Sequence, residues 1–253
     1  MKTSISLSTL FVLALSLCGC LNPHLSSMGA SQMIVAHQPR LAVNGDSSAI
    51  TVSVDGFGGT AMTGRNIKDG FSGGASVALN YRPFGFSSPL YVEAAFGGKG
   101  GKASFDCSEG GKCNDLYEAW LESAGQRKYS FWNLQERMAV GADFNAGPMI
   151  LGFGVGVHLF EGGGDFDDIR DYLGKSFAEN DDEGYGVKLY STARLGTRLG
   201  QYGVITANAD IMWLKTMNVG LSLNYIHPSG FHGGIFGAEK VGYGANFGKT
   251  FSF

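Results

Sequence analysis

Five histidines, at positions 24, 37, 158, 227 and 232, are the side chains best suited to moving protons in this chain. Only His158 lies well inside a long patterned segment, GFGVGVHLF, where alternation sets it opposite Val155, Val157 and Leu159. Nucleophilic catalysis needs a serine and a base within hydrogen-bond reach at an accessible rim. No Ser–His pair is visible from spacing, so His158 reads as a hydrogen-bonded interior residue and no catalytic residue is expected. The stretch EGGGDFDDIRDYLGKSFAENDDE (161–183) offers a different chemistry. Its nine acids (Glu161, Asp165, Asp167, Asp168, Asp171, Glu179, Asp181, Asp182 and Glu183) less two bases (Arg170 and Lys175) give −7. Clustered carboxylates can hold Ca²⁺, but the Gly and terminal Glu placements of an EF-hand loop are missing. A solvated, self-repelling loop is the reading, with no metal or cofactor expected.

These residues need a scaffold, and the chain's opening says where that scaffold goes. MKTSISLSTLFVLALSLCGC has a positive Lys2 and an apolar run, Leu7 to Leu17, of signal-peptide length and too short to span a bilayer. Residues 1–19 therefore read as a signal peptide and 20–47, with Pro23 and Pro39, as a periplasmic linker. Export implies an oxidising space, so Cys107 and Cys113 in DCSEGGKCND are expected to pair. A metal site at these two cysteines is the alternative, though no nearby histidine completes a zinc shell. Net charge is −3, which leaves no basic footprint for nucleic acid.

From about residue 48 the dominant signal is period two. Ile50, Val52 and Val54 alternate with Thr51, Ser53 and Asp55. Runs of the same kind recur at 75–82, 90–96, 132–144, 149–159, 185–198, 205–213, 219–225 and 243–253, with a weaker one at 231–237. The count is ten strands, or eight if the weak run and a neighbour are irregular. Segments 83–88, 145–148, 199–202 and 227–230 are short and carry turn residues, whereas 58–70, 99–128 and 161–183 are long. Threaded in order, the short turns share one side and the long connections the other, as in transmembrane barrels. Residues 114–125 and 165–174 could each form a short helix over the mouth, or remain irregular loop.

The polar faces of these runs carry Arg82, Arg137, Lys188, Arg194 and Arg198 against Asp55, Glu93, Asp143 and Asp210, with His158 among them. Such a balance suits a narrow lumen whose charges satisfy one another, with the apolar faces outward. A soluble sandwich with a polar outer face is the competing architecture. Aromatic residues near strand ends, among them Tyr81, Phe144, Tyr225 and Phe251, fit interfacial girdles. Two residues depart from the apolar face. Lys249 is four residues from the terminus and could snorkel; Glu136 is expected at the outer edge of its strand.

Three stretches resemble known families. Leu17-Cys18-Gly19-Cys20 resembles a bacterial lipobox, which implies cleavage before Cys20 and lipid on its thiol; ordinary cleavage further on, near Ala30, is the alternative. The ending VGYGANFGKTFSF resembles the closing strand of bacterial outer-membrane β-barrel proteins, with Phe247, Phe251 and Phe253 on alternate positions. That resemblance implies recognition by the barrel-assembly machinery and residence in the outer membrane, with lipid around residues 48–253. GFGVGVHLF resembles the Gly-and-His neighbourhood of outer-membrane phospholipases, but their Ser-Asn-Gly continuation is absent. The expectation is an all-β, antiparallel, porin-like transmembrane barrel of structural or surface-interaction type, with a filled lumen and any ligand held by outer loops. A narrow pore, with the Gly152, Gly154 and Gly156 row leaving space, and an outer-leaflet lipid-modifying enzyme are the alternatives.

Overall fold

The structure is a computed structural model. It describes residues 50–60, 67–84, 88–105, 128–165, 185–213, 217–238 and 242–253, with positions 119, 122 and 123. His24, His37, Cys20, Cys107, Cys113, most of both candidate helices, and the signal and linker segments lie outside the described residues.

Ten strands run in chain order: β1 (Ile50–Thr60), β2 (Ile67–Tyr81), β3 (Leu90–Phe105), β4 (Tyr129–Ala146), β5 (Met149–Gly163), β6 (Tyr185–Arg198), β7 (Val204–Trp213), β8 (Met217–Ile226), β9 (Phe231–Ala238) and β10 (Gly242–Ser252). Each pairs antiparallel with its sequence neighbours, and β1 pairs with β10 to close a barrel. Closure gives every strand two partners, so no row of N–H and C=O groups is left at an edge. In hydrocarbon that is a requirement, because each unsatisfied backbone group costs several kcal/mol. The last bond of the seam runs from Phe253 N–H to Ile50 O at 2.9 Å.

The weak ninth run is a real strand, the shortest of the ten. The long connections are shorter than the sequence suggested. β1 reaches Thr60, β3 continues through GGKGGKASF to Phe105, and β5 extends to Gly163. Glycine lets β3 run on beneath the side chains of its neighbours: a Cβ on Gly101 would lie 2.6 Å from Cζ of Phe131, its partner on β4. At the other end β4 and β5 join through Gly147-Pro148, with Gly147 at φ +62°. Positive φ at the first turn residue and the proline-fixed negative φ at the second give the sign pattern of a II′ hairpin turn.

Side chains alternate as period two requires, and the sense is inverted relative to a soluble protein. Val54, Val77, Leu189, Leu221, Ile235 and Phe247 are exposed on the outside. Thr51, Ser53, Asp55, Asn80, Glu93, Asp143, Arg194 and Asn208 are buried on the inside. This is a membrane-spanning barrel with an apolar belt and a polar lumen. Among the described residues no helix is long and apolar enough to cross a membrane; the strands cross instead.

Candidate functional site: the lumen

The turn end of the barrel, where both β1 begins and β10 finishes, is lined by a polar belt. Arg82, just beyond β2, donates from Nη2 to Asp143 Oδ2 at 2.7 Å and from Nη1 to Ser88 O at 3.0 Å. Asp143 also meets Arg194 Nη1 at 3.5 Å, and Arg194 Nε donates to Asn208 Oδ1 at 3.0 Å. Asn208 and Asn224 both donate to Ser222 Oγ at 3.2 Å. The chain of contacts thus runs from the end of β2 through β4, β6, β7 and β8. Below it, at the rim itself, Ile150, Val204 and Ile226 form a buried apolar cluster. Arg198 also sits at this rim rather than deep inside, half-buried, donating to Asn145 Oδ1 at 3.1 Å.

The closing seam holds a second network. His232 Nε2 lies 2.7 Å from Asp55 Oδ1. Nδ1 lies 3.2 Å from Gly230 O and 3.4 Å from Thr250 Oγ1, and Thr250 shares a 2.8 Å hydrogen bond with Ser53. Aspartate, histidine and hydroxyl therefore do meet here, but on β1, β9 and β10 and around a histidine whose side chain is fully buried. Their geometry ties three strands together.

Higher in the lumen Arg137 meets Glu93 at 3.3 Å and lies over the Tyr190 ring, 5.5 Å from its centroid. His158 stands in register between Arg137 and Lys188 and packs edge-on against Tyr190. Among the described residues its Nε2 has no hydrogen-bond partner. Lys188 is half-buried and Asp210 buried on the same inner face. Lys99, inside a stretch read as loop, adds a further buried cation opposite Asn133.

Neighbouring side chains lie over the glycine row of β5. A Cβ on Gly152 would collide with Asp143 Oδ1, one on Gly154 would lie 2.6 Å from Tyr91 Oη, and one on Gly156 would lie 2.7 Å from Tyr190 Cε1. The absent side chains are replaced by their neighbours' side chains, and Tyr91 Oη donates to Phe153 O at 3.3 Å.

At the loop end, Asp165 accepts from Ser130 N–H at 2.9 Å and from Ser130 Oγ–H at 2.7 Å. These two bonds hold its carboxyl below the ordinary 3.8, with nearby Lys102 adding to the effect. Asp165 is thus one acid of the 161–183 run with an assigned task, anchoring the connection after β5 to the start of β4. On the outside, Lys249 places its ammonium over the Phe231 ring at 4.6 Å and the Phe251 ring at 5.2 Å, which shields the charge. Glu136 is not at the edge of β4: Leu134 and Trp132 face outward beyond it on the same strand. The strand overruns the length a membrane needs, which carries that outer edge past the carboxylate. Phe247, Phe251 and Phe253 all face outward.

His232, Thr250 and Lys99 were not singled out from the sequence. His232 follows Phe231 in a run whose apolar alternation is diluted by Gly233 and Gly237, and its acid lies 177 residues away. No pattern along the chain connects them.

No family model matches the chain, and no curated relative matches it. Among solved structures it is similar to the outer membrane protein OprG from Pseudomonas aeruginosa, at 11% identity and a TM-score of 0.39, over 83% of this chain and 99% of that one. It is also similar to the COG4313 outer membrane channel from Pseudomonas putida F1, at 9% identity and a TM-score of 0.41, over 85% and 100% of the two chains. The chain's own architecture, a closed ten-stranded antiparallel barrel with an inverted hydrophobic pattern, is that of an outer-membrane-type transmembrane β-barrel.

Proposed function

We propose that this protein is a structural or surface-interaction barrel of the bacterial outer membrane, with its turn end in the periplasm, a lumen closed to steady solute flow, and no enzymatic activity. The observation that supports this is the turn-end belt, in which Asp143 joins Arg82 and Arg194 along the inner wall at the mouth of the lumen. Interaction with other surfaces falls to the loop end, since connections on a rigid scaffold carry binding. Under this reading residues 1–19 are removed, Cys20 bears lipid, Cys107 pairs with Cys113, and Phe247, Phe251 and Phe253 present the assembly signal. The test is reconstitution into planar bilayers, where the native chain gives no steady conductance steps. Long-lived open channels would overturn the closed-lumen reading.

A narrow hydrated conduit is the second reading. It is favoured by buried polar atoms with no protein partner among the described residues, namely Gln135 Nε2, Thr192 Oγ1 and both amide atoms of Asn246. Such groups take water where there is room. Brief or proton-selective currents that change when Thr192→Val is introduced would favour this conduit. An outer-leaflet lipid-modifying role would require altered membrane lipid on overexpression or deletion; unchanged lipid is expected.

A further inference from the structure

The outer wall of the barrel is not evenly convex. Over β3 to β8, toward the turn end, it carries a hollow of about 1010 Å³. The hollow follows one register row across six strands: Leu90, Ala142, Phe153, Ala193, Ala209 and Leu221 are successive cross-strand partners. Three of the six are alanines, and Ala207 adds a fourth in the adjacent row. Leu151 and Leu195 border it on the turn side, Val155 and Ile211 on the loop side, and Phe84 stands at its mouth. On the opposite wall Val77, Leu79, Ile235 and Phe247 are among the outward residues.

We propose that this hollow is a binding site for one acyl chain of a membrane phospholipid. The inference rests on the membrane placement proposed above. Arg194 is the one charged residue along the hollow and its guanidinium is turned inward to Asp143 and Asn208, so the outward surface is apolar, and the solvent it faces is hydrocarbon. A chain lying in it is touched by protein on its sides as well as beneath, and dispersion contacts accumulate with each atom so enclosed. Its volume lies at the upper end of those that enclose small molecules. A second copy of the barrel is the poorer occupant. A two-fold axis would set the same patch against itself, and hollow against hollow leaves a void.

The experiment uses the refolded full chain in vesicles of phosphatidylethanolamine carrying a diazirine in one acyl chain. After irradiation, labelled peptides are mapped and normalised to exposed area. Labelling over β5 to β8 should exceed labelling over β9, β10, β1 and β2 severalfold. Ala193→Leu with Ala209→Leu fills the floor and should remove the excess, whereas Ala245→Leu on β10 should leave it. Labelling that is even around the belt, an excess that survives the filled floor, or chain-to-chain cross-links through this face would each overturn the site. The map of the native chain is informative even if the filled variant does not fold. Absence of label anywhere on the belt would instead refute the membrane placement.

Discussion

Replacing Asp143 by asparagine keeps the shape of the turn-end belt and removes its one negative charge. Asp143 faces two guanidinium groups, at 2.7 Å and 3.5 Å, and all three side chains are nearly fully buried. At an effective dielectric of about 20, each contact corresponds to roughly 5–6 kcal/mol of Coulomb energy before desolvation. Desolvation offsets much of that in the native chain, but it still weighs on Arg82 and Arg194 once their acid is gone. Removing one partner from such a buried group costs about 3–5 kcal/mol. Asparagine can still accept a hydrogen bond from Arg82, so the expected loss is about 3 kcal/mol, at the lower end of that range. Arg194→Gln alone should cost less, because Asp143 keeps its shorter contact with Arg82. The double variant should cost less than the sum by about 1–2 kcal/mol, the coupling expected of residues in one network. Reversible urea unfolding of the refolded barrel in detergent, followed by tryptophan fluorescence, measures all three. Two single costs that add to within about 0.5 kcal/mol, or an Asp143→Asn variant as stable as the native chain, would refute the reasoning.

Gly154→Ala should cost about 1–3 kcal/mol, because its new Cβ lies 2.6 Å from Tyr91 Oη and 3.0 Å from Thr192 Cγ2. The same change in a Tyr91→Phe background should cost visibly less in the same urea titration. Asp165 has its native pKa held below 3.8, so its link to Ser130 is fully present above that value and is lost as pH falls through the lower native one. Amide exchange at Ser130 should accelerate only below about pH 4, and in Asp165→Asn that pH dependence should vanish. Phe231→Leu should destabilise by about 0.5–2 kcal/mol through the lost contact with Lys249, and by less when Lys249→Met is already present. Thermal unfolding in detergent separates the two backgrounds.

The wall of this protein was legible because lipid on one side and a polar lumen on the other impose period two on every strand. Ile50 to Asp55 and Leu90 to Phe96 state their facing without ambiguity. The ninth strand was faint for a physical reason. Its outward Gly233 and Gly237 are covered by side chains of the next strand, Phe247 and Tyr243, so the apolar surface is present but encoded elsewhere. Residues 99–105 read as loop because glycine is a turn residue, whereas here it makes room for a neighbouring strand's side chain, Phe131. The lumen was legible in composition and not in pairing. Asp143 was seen as one of four acids, but its service to two arginines depends on register across several strands. His158 drew attention by its position in a long strand, and the histidine that meets an acid is His232.

The central claim is that each strand turns its apolar residues to lipid and its polar residues to the lumen, and β10 tests it most directly. Single cysteines at 243, 245, 246, 247, 250 and 251 would be placed in a chain whose native cysteines are serine, then labelled with a fluorophore and reconstituted with lipids bearing a quencher in the acyl chain. Labels replacing Tyr243, Ala245, Phe247 and Phe251 should be strongly quenched, and those replacing Asn246 and Thr250 should not. Quenching that is uniform along the strand, or strongest at Asn246 and Thr250, would contradict the account.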